Sequence, residues 1–352
     1  RAAGRRLFVD AVTRNAGGAV EIVCGQGPWE AHEAAVGAIE RAAPMVLADL
    51  LGPIIGPAVI TTLPTGEQVL AVSIDARHGY LAQHRIDGVP VLPAAAAMAI
   101  MGDAARTLWP GWKVVETRDF RLIKGVEMKE AARTLQVVIQ PPPYGSSEGF
   151  EVTATIRSEL GAGRYLVHYQ AVVRLEQRVQ GEFARSPALH ATKKLSVASA
   201  YDELLFHGPC FQVIEAIDGL SERGSVSRVR PSRPTEWLSG VSEAHDQWTF
   251  DPALVDAAAQ MALLWARSLR GESCLPARFG RIARLREQLP PRMTMEFELI
   301  SVPDPSVVRA NVYFLDADGQ VVLLIEEMEC IASAALNRLG GTAGKRAVAL
   351  PA

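Results

Sequence analysis

One histidine stands at a spacing that suits acid–base chemistry. His84 begins the pattern His84-x-x-x-Gly88-x-x-x-x-Pro93, immediately before an alanine-rich stretch that we expect to form an enclosed helix. A neutral imidazole is well suited to take up a proton near pH 7. Spacing alone would be a weak signal, but the position before a buried helix strengthens it. We therefore take His84 as the candidate base.

A second set of polar residues opens a later helix. Asp251 is a natural N-cap and Pro252 a natural first helical residue. Asp256 then lies just inside the helix, with Gln260 one turn further along the same face. Desolvation in an apolar cavity favours a protonated carboxyl group, so Asp256 can act as an acid. Alternatively, Asp256 is only a helix N-terminal charge favoured by the macrodipole.

Two shorter segments flank the second helix, His207-Gly208-Pro209-Cys210-Phe211 before it and Leu275-Pro276 after it. In chain order, the four segments resemble the HxxxGxxxxP, YGPxF, DxxxQ/H and LP motifs of dehydratase domains in polyketide and polyunsaturated-fatty-acid synthases. The resemblance covers roughly residues 43–335. It departs from the family pattern where the Tyr of YGPxF is His207 and where many relatives have His in place of Asp251.

The resemblance implies a double hotdog, an α+β fold of two fused hotdogs, each an antiparallel sheet wrapped around a central helix. It implies removal of water from a β-hydroxyacyl thioester, with His84 as the base for the α-proton and Asp256 as the acid for the hydroxyl. Gln260 would orient the hydroxyl or Asp256. The substrate would be held on the phosphopantetheine arm of an acyl carrier protein, and neither a metal nor another cofactor would be needed.

The remaining motif residues are expected to bind substrate: Gly88, Pro93, His207, Gly208, Pro209, Phe211, Leu275 and Pro276. Gly88 lacks a side chain, so the backbone could approach the thioester closely. Backbone N–H groups near Gly88 and at the first helix N-terminus would stabilise the enolate oxygen. Alternatively, Gly88 and Pro93 are only a tight turn and a helix start, and His207 is a pocket wall.

The composition is that of an ordinary globular protein, with 352 residues, 49% hydrophobic and 21% charged. A net charge of −3, without a basic run interleaved with aromatics, gives no sign of nucleic-acid binding. The most apolar stretch, Val91 to Met101, is too short for a membrane helix. The four cysteines are far apart, which argues against a zinc site or disulfide framework and favours the cytoplasm.

The elements that must position these residues occur twice. A strand-rich region contains an alanine-rich helix from Ala94 to Trp109, and a second such region contains a helix from Pro252 to about Arg270. Strands are predicted at 58–63, 67–75, 114–123, 134–140, 150–158, 165–175, 211–219, 294–302, 307–316 and 320–332. An enclosed helix wrapped by an antiparallel sheet, present twice, indicates a duplicated architecture.

We divide the chain into four parts. Residues 1–42 are interpreted as a linker or the tail of a preceding ketoreductase-like domain, and 336–352 as a flexible tail. Residues 43–190 would form the first hotdog with the catalytic His, and 191–335 the second with the catalytic Asp. The chain opens with Arg1, which indicates a piece of a longer polypeptide.

The expected partners are an acyl carrier protein, neighbouring synthase domains such as a ketoreductase, and a second copy in a homodimer. Carrier proteins of this kind are acidic, and four arginines would form a docking face for one or, alternatively, a merely solvated strand edge. They are Arg278, Arg281, Arg284 and Arg286.

Other functions stay open. A double-bond isomerase or a cyclase on this scaffold would use the same His84 and Asp256, but only dehydration loses water. A catalytically silent, structural dehydratase-like domain would need neither residue. A hotdog thioesterase is a further alternative, although nothing in the chain resembles its usual acidic residue within one helix.

Overall fold

The computed structural model of this chain describes residues 53–55, 58–142, 148–161, 163–184, 189, 193–238 and 247–340. The expected linker or ketoreductase-like tail at 1–42 lies outside these residues. Among the described residues there is no helix with the length and hydrophobicity needed to cross a membrane.

Most of the described chain is β-structure. The strands are β1 Val59–Thr62, β2 Gln68–Asp75, β3 Arg85–Ile86, β4 Val89–Pro90, β5 Lys113–Leu122, β6 Ala132–Gln140, β7 Gly149–Gly161, β8 Arg164–Glu176, β9 Lys193–Leu195, β10 Ile214–Ser221, β11 Gly224–Val229, β12 Ser273–Arg284, β13 Met293–Ile300, β14 Val307–Leu315 and β15 Val321–Ser333. The α-helices are α1 Gly79–Ala82, α2 Ala94–Leu108, α3 Val197–Ser199, α4 Pro234–Trp237 and α5 Pro252–Arg270. A π-helical turn at Ala200–Leu204 continues α3, and 3-10 turns lie at Pro209–Phe211 and Ala334–Leu339.

Thirteen of the described strands form one antiparallel sheet, in the order β1-β2-β6-β7-β8-β5-β12-β15-β14-β13-β11-β10-β9. Strands from the first half occupy one side of this order and strands from the second half the other. The halves join where β5 pairs with β12, from Arg121 opposite Arg278 to Glu116 opposite Ala283. This pairing covers an edge of each half, so that two sheets become one.

Helices α2 and α5 are the centres of the two halves. Every residue of α2 except Arg106 is buried, and its many alanines allow the sheet to approach closely. In α5 every residue from Pro252 to Ala266 is buried. The helices pack against each other and share one hydrophobic core. The two curled half-sheets, each around its own helix, are the expected double hotdog.

Strand β12 was absent from the predicted strands. Pro276 and Gly280 have low strand propensity and interrupt any alternating pattern. Pro276 is tolerated because the pairing with β15 is shifted between Pro276 and Arg278, and pairing with β5 begins only at Arg278. The strand therefore depends on two partners distant in sequence.

Residues 336–340, predicted to be part of a flexible tail, belong to the folded body. The turn Ala334–Leu339 buries Leu339 to 1% exposure. The Asn337 side chain accepts a hydrogen bond from the Ser273 N–H at 2.7 Å, and Arg338 pairs with Asp87 at 2.7 Å. These contacts hold the segment on the body of the protein, so the boundary at 335 is too early.

The four arginines of the expected docking face are engaged within the fold. Arg278 pairs with Asp119 at 2.9 Å, and Arg281 pairs with Glu116 and Glu326, each at 2.7 Å. Arg284 donates to the Thr249 carbonyl at 2.7 Å and Arg286 to the Gly181 carbonyl at 2.6 Å. Because carboxylates neutralise Arg278 and Arg281, the four residues do not form a free basic face.

Candidate functional site

Residues of both halves meet at a cavity of about 70 Å³. The first half contributes His84, Ile86, Val91, Leu92, Ala94 and Leu122 to its wall, and the second half contributes Phe206, His207, Asp256, Ala259, Gln260, Leu263, Cys274, Leu275 and Pro276. Most of these side chains are apolar, and the polar ones cluster. The cavity therefore offers a hydrocarbon-like environment with one reactive patch.

His84 is held in a defined tautomer by the backbone. It follows the short helix α1, and its Nδ1 lies 2.8 Å from the Val91 carbonyl oxygen. Since a carbonyl only accepts hydrogen bonds, Nδ1 must carry the proton, which leaves the Nε2 lone pair available. Burial lowers the pKa of His84 to about 4. The imidazole is therefore neutral at pH 7, as a general base requires.

Asp256 is positioned by the start of α5. The Asp251 carboxylate caps this helix by accepting hydrogen bonds from the N–H groups of Ala253 and Leu254. Asp256 lies one turn into the helix, where burial raises its pKa to about 7 against the lowering effect of a hydrogen bond from Gln260. A substantial fraction of this carboxyl group is therefore protonated at neutral pH, as a general acid requires.

Gln260 is fixed by three partners. Its Nε2 donates to Asp256 Oδ2 at 2.7 Å and to the Phe211 carbonyl at 3.1 Å. Its Oε1 accepts from the Tyr201 hydroxyl at 3.1 Å. Asp256 and the Phe211 carbonyl both accept hydrogen bonds, so the amide nitrogen of Gln260 must face them. Its surroundings therefore fix the orientation of the amide group. Gln260 therefore makes direct contact with Asp256, as a residue that orients this acid would.

The two predicted reactive groups come together although they belong to different halves. One donor atom from each of His84, His207 and Asp256 lies within 4.8 Å of the other two. A cavity with a neutral base and a protonated acid can remove a proton and a hydroxyl from neighbouring carbons. The same three donors, two imidazole nitrogens and a carboxylate, are of types that Zn²⁺ accepts.

Gly88 and Pro93 have architectural positions and are absent from the residues that line this cavity. Asp87 and Gly88 form the two-residue turn between β3 and β4, with φ angles of 51° and 80°. Positive φ at both positions is the type I′ pattern that favours glycine. Pro93 occupies the N-cap of α2, with ψ at 143°. The neighbouring Val91, Leu92 and Ala94 line the cavity instead.

The segment from His207 to Phe211 fastens the second half to the first. The Gly208 N–H donates to the Gln83 carbonyl at 2.8 Å, and the Cys210 N–H donates to Gln83 Oε1 at 2.7 Å. A Cβ atom on Gly208 would lie 2.6 Å from the Gln83 Cβ, so this approach requires glycine. Of the predicted residues here, His207 lines the cavity, whereas Gly208, Pro209 and Phe211 are absent from its lining residues.

Several residues in or beside the cavity wall were not predicted from the sequence. Ala259 and Leu263 lie three and seven positions after Asp256, so helical periodicity could have identified them. Tyr201 and Gln83 carry no local signal, because their roles depend on partners far away in the chain. Leu275 and Pro276, which are predicted to bind substrate, line the cavity.

Two family models match this chain. One, described as polyketide synthase dehydratase domain, matches residues 53–156, and the other, described as polyketide synthase dehydratase N-terminal domain, matches residues 184–339. A polyunsaturated fatty acid synthase protein of Thraustochytrium sp. (strain ATCC 26185 / S-3) is 27% identical over 212 residues, which are 59% of this chain. The match spans only 7% of that relative's length.

Solved structures confirm the fold. The dehydratase domain from the CurF module of curacin polyketide synthase has a TM-score of 0.62 at 18% identity and covers 81% of this chain and 99% of that one. The dehydratase domain of PpsC from Mycobacterium tuberculosis, in complex with C12:1-CoA, has a TM-score of 0.59 at 21% identity, with coverage of 81% and 99%. With its double hotdog and the motif residues of both halves around one cavity, this chain belongs to the dehydratase domains of polyketide and polyunsaturated-fatty-acid synthases.

Proposed function

We propose that this domain removes water from a β-hydroxyacyl group held as a thioester on the phosphopantetheine arm of an acyl carrier protein. The product would be an α,β-enoyl thioester. The observation that carries the proposal is that His84 and Asp256 lie in one apolar cavity. Burial there lowers the pKa of His84 and raises the pKa of Asp256. Desolvation thus favours the protonation states that dehydration requires.

The reaction follows from these states. His84 Nε2 takes the α-proton, and the electrons of the broken C–H bond form the Cα–Cβ double bond through an enolate. The bond from Cβ to the hydroxyl oxygen breaks as Asp256 gives its proton to that oxygen, and water leaves. Ala94, the first residue of α2, lines the cavity, so the positive end of this helix dipole lies beside the site. Return of the proton from His84 to Asp256 restores both groups.

The lining residues support a hydrocarbon acyl chain as substrate. Ile86, Leu122, Ala259 and Leu263 present apolar surface, whereas the polar groups are concentrated at the reactive patch. An acyl chain with further hydroxyl groups would leave them without partners on such a wall, at a cost of about 1–3 kcal/mol each. The PpsC domain was solved with C12:1-CoA, an unsaturated acyl thioester, which supports a thioester substrate in this fold.

The partners follow from the setting of the relatives. The matched region of the Thraustochytrium protein is a small part of a long synthase polypeptide, which supports neighbouring domains such as a ketoreductase that would supply the β-hydroxyl group. The proposal requires no cofactor beyond the phosphopantetheine arm. A homodimer and a cytoplasmic location remain predictions from the sequence.

The decisive experiment is a mass assay. The protein is incubated with a β-hydroxyacyl chain on an acyl carrier protein and, separately, on N-acetylcysteamine, and the loss of one water is followed by mass spectrometry. We expect water loss with the wild type, none with His84→Ala, and only a small residual rate with Asp256→Asn. A changed product of unchanged mass would instead indicate an isomerase or a cyclase, and an unchanged substrate would indicate a silent domain.

A further inference from the structure

His207 is a buried titratable side chain that the proposed reaction does not use. Its Nε2 lies 3.3 Å from Asp256 Oδ2. Its ring stacks on Phe206 with 4.0 Å between centroids and lies 5.5 Å from the ring of His84. The imidazole thus lies beside both the base and the acid, at the position where the family motif has tyrosine.

The oxygen that His207 approaches already has one donor. Gln260 Nε2 donates to Asp256 Oδ2 at 2.7 Å, and its other partners fix the N–H end of the amide on that side. Two nitrogens from different segments therefore converge on the same carboxyl oxygen. In a carboxylic acid the carbonyl oxygen accepts hydrogen bonds, while the other oxygen carries the proton.

We propose that His207 is a positioning residue for the acid: its Nε2–H and the Gln260 amide together donate to Oδ2 of Asp256 and keep the transferable proton on Oδ1. The inference rests on the proposed function. It requires neutral His207, because a positive charge beside Asp256 would favour the carboxylate and remove the proton that the acid must donate. With the proton confined to Oδ1, the acid presents it to the departing hydroxyl in a single orientation. Such preorganisation favours proton transfer.

The other titratable side chains around Asp256 are neutral and therefore place no charge beside its carboxyl group. Burial raises the pKa of the Tyr201 phenol, and it raises the pKa of the Cys210 thiol to about 12. Both side chains are therefore neutral at the pH of the reaction. His84 is neutral as well, because burial lowers its pKa to about 4.

Two substitutions separate a donor role from a pocket-wall role. His207→Phe keeps an aromatic ring and removes the donor, whereas His207→Gln places an amide N–H near the position of Nε2. We expect His207→Phe to lower kcat for a β-hydroxyacyl thioester about tenfold, the effect of one lost hydrogen bond, with KM within about twofold. His207→Gln should recover most of that loss. A wall role predicts the opposite order, and a His207→Phe rate equal to or above that of His207→Gln overturns the proposal.

A spectroscopic measurement tests the proposal without turnover. The infrared C=O stretch of protonated Asp256 is isolated below pH 7 as the band absent from Asp256→Asn. Loss of a donor to Oδ2 should raise its frequency in His207→Phe, and His207→Gln should restore it. An unchanged band in His207→Phe overturns the inference even where dehydration occurs. A shifted band in a protein that does not dehydrate contradicts the proposed function and leaves the hydrogen bond established. If His207→Phe does not fold, His207→Met replaces it as the donor-free variant.

Discussion

At the scale of single residues, burial sets the protonation states of both candidate catalytic groups. In water an imidazole has a pKa near ~6.5 and an aspartate near ~3.9, so few molecules would hold a neutral histidine and a protonated aspartate together. In this cavity desolvation moves the pKa of His84 down to about 4 and that of Asp256 up to about 7. The order of the two pKa values is thereby reversed, and a pH range appears in which both groups are ready.

The pH dependence of catalysis follows from that order. The active form has His84 neutral, which holds above about pH 4, and Asp256 protonated, which holds below about pH 7. We expect a bell-shaped profile of kcat/KM that rises near the first value and falls near the second, with both limbs belonging to the coupled pair. The residual activity of Asp256→Asn should lack the alkaline limb. An unchanged limb would assign the acid to another group.

The same burial makes a prediction for stability. Because the pKa of Asp256 is raised from 3.8 to about 7 on folding, its contribution is present below the unfolded value and is lost as the pH rises through about 7. In the wild type, Asp256 should therefore lower the free energy of unfolding by on the order of 3 kcal/mol between pH 4 and pH 7, and Asp256→Asn should lack this decrease. Urea unfolding of both proteins at several pH values measures this difference. Parallel pH curves for the two proteins would show that Asp256 is not desolvated.

At the scale of elements, the site depends on how closely the segment before α5 approaches the segment before β3. Gly208 lies directly against Gln83, the residue that precedes His84, and two backbone N–H groups of its loop donate to Gln83. The base is thus tethered to the half that carries the acid. The distance between the two catalytic groups is controlled by this contact as well as by the sheet.

Gly208→Ala tests this tether. The added Cβ would lie 2.6 Å from the Gln83 Cβ, so the loop or the His84 segment must shift. We expect a loss of about 1–3 kcal/mol of stability together with a lower kcat. Gly125→Ala is the matched control, because a Cβ there comes no closer than 4.0 Å to its nearest neighbour. Equal melting temperatures and equal rates for the two variants would contradict the role of the tether.

At the scale of the whole molecule, the two halves share one core and one sheet. Strands β5 and β12 join the half-sheets, α2 packs on α5, and Asp103 of α2 accepts a hydrogen bond from the Thr249 hydroxyl at 2.9 Å across the junction. Both partners of this hydrogen bond are buried. The cavity exists only while this junction is closed, since each half provides part of its wall.

Thr249→Val should destabilise the junction between the halves while it keeps the shape of the side chain. The variant leaves the buried Asp103 carboxyl without its hydroxyl donor, which we expect to cost about 1–3 kcal/mol. Thr107→Val is the control, because the Thr107 hydroxyl donates to the Asp103 carbonyl within the same helix. Thermal unfolding followed by circular dichroism compares them. A larger loss for Thr107→Val would show that the cross-junction bond contributes little.

The sequence alone determined the features whose causes are local. Helix α5 runs from Pro252 to Arg270, as predicted, because Asp251 caps it and Pro252 fits its first turn. The duplicated helix-in-sheet plan and the resemblance of His84 and Asp256 to one family's motifs were equally visible. Periodicity, capping and motif spacing all depend on residues close together in the chain.

Only the tertiary structure decided the features whose causes are distant. Strand β12 forms because β5 and β15 pair with its two edges, and no pattern within it overcomes Pro276 and Gly280. Gly88 and Pro93 proved to be a turn and a helix cap, which their spacing in the motif could not distinguish from substrate contacts. The approach of His207 and Gln260 to one oxygen of Asp256 depends on the folding of the second half, which brings a loop and a helix together. The desolvation that reverses the two pKa values arises only when both halves close around the cavity.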